Sequence, residues 1–84
     1  MRIVVNNQSD KPVRTPWPWR GEVPPGMQQE FHLEDKGFPV LSAISLAVMA
    51  EQLENVTVRI FKGNPEEEYE VVRTSSMPIM VKKT

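Results

Sequence analysis

Leu41-Ser42-Ala43-Ile44-Ser45-Leu46-Ala47-Val48-Met49-Ala50-Glu51-Gln52-Leu53-Glu54-Asn55 is the stretch whose reading decides the fold. As a helix it makes the chain α+β; as a buried strand it makes the chain all-β. Ile44, Leu46 and Val48 alternate with Ala43, Ser45 and Ala47, as a strand buried on both faces would. The length of the run and its continuation through Ala50, Glu51, Gln52, Leu53 and Glu54 favour a helix. Leu46, Ala50 and Leu53 keep helical spacing, Ala43 and Ala47 allow close approach to a sheet, and Ser42 is the expected N-cap. A helix over about 42–54 is therefore expected. Its apolar part, 43–50, is too short to span a bilayer.

On both sides of this run the pattern is that of strands. Val56-Thr57-Val58-Arg59-Ile60-Phe61 is β-branched and alternating, and Lys62-Gly63-Asn64-Pro65 stops it. Tyr69 to Thr74 is its expected hairpin partner, and Pro78 to Val81 a last short edge strand. Upstream, Met27 to Leu33 would place Phe31 and Leu33 on one face and Glu30, His32 and Glu34 on the other. Ile3-Val4-Val5 opens the chain as a strand and ends in the turn formers Asn6-Asn7-Gln8-Ser9-Asp10. The expected architecture is α+β: a mostly antiparallel sheet of 4–6 short strands with one helix. The 84 residues fit a single small domain over 1–84.

Between Lys11 and Gly26 lie Pro12, Pro16, Pro18, Pro24 and Pro25. Proline supplies no amide hydrogen to a ladder, so 11–26 reads as a proline- and tryptophan-rich N-terminal loop or arm. Its centre, Thr15-Pro16-Trp17-Pro18-Trp19-Arg20, is the most unusual segment of the chain. A fully buried tryptophan removes about 150–250 Å² from water, so a small domain does not leave two exposed without cause. One of the pair is expected in the core. The other, with Arg14 and Arg20 beside it, has the composition of an interface hot spot. Arg14, Trp17, Trp19 and Arg20 are therefore the candidate partner-binding residues.

Chemistry is short of parts. His32 is the sole histidine, there is no cysteine, and the four glycines are scattered rather than gathered into a phosphate loop. The aspartates are Asp10 and Asp35, and no serine sits in a nucleophile elbow. No catalytic residue, metal or cofactor is expected, and the chain reads as a non-enzyme. Glu30, His32 and Glu34 would share a strand face, but a metal needs ligands from a second element as well. The net charge of −1 counts against a nucleic-acid binder, although Trp17 and Trp19 have faces on which bases can stack. Basic residues gather at Arg2, Lys11, Arg14 and Arg20 and at Arg73, Lys82 and Lys83. Acidic ones gather at Glu22, Glu30, Glu34 and Asp35 and at Glu66, Glu67, Glu68 and Glu70. Without disulfides, stability must come from packing, alone or with a partner surface.

Val4-Val5-Asn6-Asn7, Lys11-Pro12-Val13, Val23-Pro24-Pro25-Gly26 and Phe31 together resemble the opening of small bacteriophage virion and accessory proteins. The resemblance covers about a third of the chain and implies a head, neck or tail accessory protein, cytoplasmic or assembled in a virion. The functional expectation is a structural or protein-interaction subunit, partnered by another protein or by itself, with no membrane contact. The alternative is a small regulator or inhibitor that binds one host protein; nucleic-acid binding comes third.

Overall fold

The computed structural model describes residues 1–17 and 19–83; Pro18 and Thr84, which belong to the proline-rich stretch and the basic tail, lie outside them. Strand β1 (Arg2–Asn7) shows why the sheet has two unlike faces. Its alternation buries Ile3, Val5 and Asn7 and turns Arg2, Val4 and Asn6 outward. Strand β4 (Met27–His32) pairs with it on one side and β5 (Val56–Lys62) on the other, both antiparallel. Strands β6 (Glu67–Arg73) and β7 (Pro78–Lys82) complete a five-stranded sheet of order β4-β1-β5-β6-β7.

The single helix among the described residues, α1 (Phe38–Glu51), lies on the face that receives Ile3, Val5, Val56 and Ile60. Ser42, Ala43, Leu46 and Ala50 are its buried residues, and the small ones let the helix approach the sheet closely. Leu46, at 1% exposure, is its one large fully buried side chain. Fold class and helix therefore follow the sequence expectation, but the helix sits four residues early at its start and three at its end. Gly37, at φ 76°, is the N-cap, with Pro39 in the first turn, where a missing amide hydrogen costs nothing. Ser42 is inside the helix instead of capping it, and its hydroxyl donates to the Trp17 carbonyl oxygen. The other end stops because residues 52–55 turn, with Asn55 at φ 64°, a conformation asparagine tolerates better than most residues.

The proline-rich stretch is not an extended arm. It carries β2 (Val13–Arg14) and β3 (Glu22–Val23), which pair as a small separate sheet and fold back so that Val13 and Val23 join the core. Asn7 anchors it. Fully buried, its Nδ2 donates to the carbonyl oxygens of Lys11 and Val23 at 2.8 and 2.9 Å. Its Oδ1 accepts from the Ser9 backbone amide at 3.0 Å and from the Ser9 hydroxyl. One buried amide thus ties the end of β3 to the turn that precedes β2.

Candidate interaction surface

The two tryptophans, two residues apart, have different fates. Between β2 and β3 the chain closes on itself: the Thr15 amide donates to Gly21 O at 2.9 Å, and the Gly21 amide donates to Thr15 Oγ1 at 2.6 Å. Gly21 is small by need, since a Cβ there would lie 3.3 Å from Thr15 Oγ1. Within this closed loop Trp19 turns inward and stacks on Phe31, with ring centroids 5.6 Å apart and planes at 26°. It packs against the core, half-buried, and its indole nitrogen has no protein acceptor among the described residues. Trp17 turns outward, 56% exposed, and meets Phe38 edge to face at 5.4 Å and 80°. The hydrogen bond from Ser42 to the Trp17 carbonyl fixes it beside the start of α1. Arg14 is exposed and stands 4.0 Å from Glu22 across the small sheet; Arg20 is exposed at φ 45°. Of the four candidate residues, then, Trp17 alone joins the surface of α1, while Trp19 packs half-buried against the core.

That surface was not singled out by the sequence analysis. Residues 38–50 contain no charged side chain, and Ser42 and Ser45 are their only polar ones. One side of α1 is buried on the sheet; the other is just as apolar and faces water. Phe38 is 64% exposed, Leu41 59%, and Met49 and Leu53 continue the patch. A helix that is apolar all round normally has neighbours on every side. The signal that would have found this surface is the missing charge, since an outward helical stripe in a solvated position carries lysine or glutamate every turn.

The opposite exterior, the face of the sheet away from α1, is built the other way. Arg2 Nη1 lies 2.5 Å from Glu30 Oε1 and its Nη2 2.8 Å from Glu66 Oε1. Arg59 pairs with Glu68 at 2.9 Å, and Lys83 approaches the same carboxylate at 3.7 Å. Both guanidinium groups lie over the Phe61 ring, at 4.2 and 5.0 Å from its centroid. Hydrogen bonding from Arg2 holds the Glu66 carboxyl below its ordinary value of 4.5, and hydrogen bonding from Arg59 does the same to Glu68. Glu30 is committed to Arg2, and His32 Nε2 stands 3.9 Å from its second oxygen, so this strand face is an ion-pair network. No helix among the described residues is long and apolar enough to cross a membrane.

Compared with protein-family models, with curated proteins and with solved structures, the chain has no match.

Proposed function

We propose that the protein is a non-enzymatic interaction subunit that docks through the outer face of α1 together with Trp17. One observation carries this reading: a helix that has no charge from 38 to 50, its one acid being Glu51 in the last turn, and that leaves Phe38, Leu41 and Met49 facing water. Trp17 and Phe38, at 56% and 64% exposure, leave roughly 200–250 Å² of aromatic surface in water between them. Covering that surface is favourable at about 25 cal/mol per Å², and tryptophan is among the residues that most often dominate such contacts. Met49 adds a side chain that adapts to a neighbour's shape. The loop that holds Trp17 is already closed by hydrogen bonds, so little order remains to be lost on docking.

The test compares two affinity baits in the protein's own cellular setting, one carrying Leu41→Asp and the other Thr57→Asp on the exposed sheet face. The first bait loses the proteins that the unaltered chain retains, the second keeps them, and both melt near the unaltered chain. Equal retention by the two baits would refute the reading. Stoichiometry then separates a structural subunit, present in many copies in an assembly such as a phage particle, from a regulator bound one-to-one to a target.

A further inference from the structure

We infer that the occupant of this face is a second copy of the chain, docked with the two α1 helices antiparallel about a twofold axis at Ser45. The inference rests on the docking role of the α1 exterior and adds the partner's identity and geometry. A closed twofold contact requires a surface complementary to itself. Ser45 is exposed and sits mid-helix, between Leu41 one turn before and Met49 one turn after. An antiparallel twofold there sets Leu41 of each copy against Met49 of the other, with the small serine at the crossing, where backbones come closest.

The ends of the helix agree with the same axis. A shallow groove of about 540 Å³ lies beside the start of α1, with Phe38, Val40 and Leu41 as its apolar lining beside Gly37 and with the charged Asp35, Lys36 and Lys62 around them. Leu53, 43% exposed just past the other end, is the side chain that the twofold brings to this groove. Lys36 precedes the helix and Glu54 follows it; both are exposed, and neither has an ion-pair partner among the described residues. The antiparallel arrangement brings Lys36 of one copy to Glu54 of the other. A parallel arrangement would stack lysine on lysine and glutamate on glutamate, which is unfavourable. The apolar patch amounts to roughly 400–500 Å² per copy, below the ~800 Å² of a standard interface, so the dimer forms reversibly with concentration.

The chain has no cysteine, so Ser45→Cys introduces a unique reporter. Helix axes 8–10 Å apart leave facing Cα atoms within disulfide reach. Under mild oxidation at about 100 µM protein, Ser45→Cys forms a disulfide-linked dimer at least tenfold faster than Thr57→Cys on the opposite exterior. In sedimentation equilibrium, Lys36→Glu weakens the dimer several-fold, and adding Glu54→Lys restores it. The inference is overturned if the unaltered chain stays monomeric at millimolar concentration, if the two cysteine variants cross-link at equal rates, or if the double charge variant is no tighter than the single. Those results leave the docking role to the bait comparison, where loss of retained proteins with Leu41→Asp would point to a different partner on the same face.

Discussion

The two exteriors of this protein, the outer side of α1 and the outer face of the sheet, are both in water, and they meet it differently. Over β4, β1 and β5 the sheet exterior places arginine between carboxylates and roofs its one aromatic, Phe61, with two guanidinium groups. The α1 exterior offers Phe38, Leu41 and Met49 with no charge among them and Trp17 at its head. The difference teaches where to look for contact in a small domain. A scattered apolar side chain on a surface needs no explanation, but a whole helical side without charge does. An ion-paired face is stable as it stands; an uncharged one gains by being covered.

The comparison breaks most readily on α1 itself. Leu46→Ala, on the sheet side, should cost about 2–5 kcal/mol in urea unfolding, because it deletes a fully buried side chain from a thin core. Leu41→Ala, five residues away on the outer side, should cost under about 1 kcal/mol at dilute concentration. Comparable losses would mean that the outer side is core. A somewhat smaller effect is expected from Asn7→Ala. It leaves the Val23 carbonyl and the Ser9 amide without their Asn7 partner, and the Lys11 carbonyl with the Ser9 hydroxyl alone, at about 2–3 kcal/mol. Hydrogen exchange should then quicken at Val13 and Val23 before it does in β5; uniform quickening would show that the small sheet is no separate appendage.

The smallest effect belongs to the sheet exterior. Because the folded-state carboxyls of Glu66 and Glu68 titrate below 4.5, their contribution to stability is fully present above that pH. It is lost as pH falls through the depressed folded values. These pairs are exposed, so the loss is modest and shrinks in about 1 M salt. A melting temperature that drops with acid equally at low and high salt would show that the network is not its source.

Much of the fold was legible because periodicity and composition agreed, as in β5 and in the body of the helix-former run, 42–51. The helix start was not. Its cap is a glycine chosen for backbone conformation, while Ser42 answers to a tertiary hydrogen bond with Trp17. Pro39 was the local hint, since proline suits a first turn. Of the two readings of 11–26, loop or arm, the fold takes the loop: five prolines do argue against a central strand, and one buried Asn7 side chain supplies bonds that fold the stretch back. Nor does sequence distinguish Trp17 from Trp19. Neighbours separated in the chain, Phe38 and Phe31, decide which faces out. The uncharged run 38–50 was visible throughout, but only the placement of α1 on a single sheet reveals that Phe38, Leu41, Ser45 and Met49 stay in water.

The central claim, that copies of the chain meet through α1 and not through the ion-paired sheet, is tested most directly by amide and indole chemical shifts of the isotope-labelled protein over a dilution series. The account predicts concentration-dependent shifts at Phe38, Leu41, Ser45, Met49 and Leu53 and at the Trp17 indole, with Arg2, Glu30 and Arg59 unchanged. Shifts centred on Arg2, Glu30 and Arg59, with α1 silent, would contradict it.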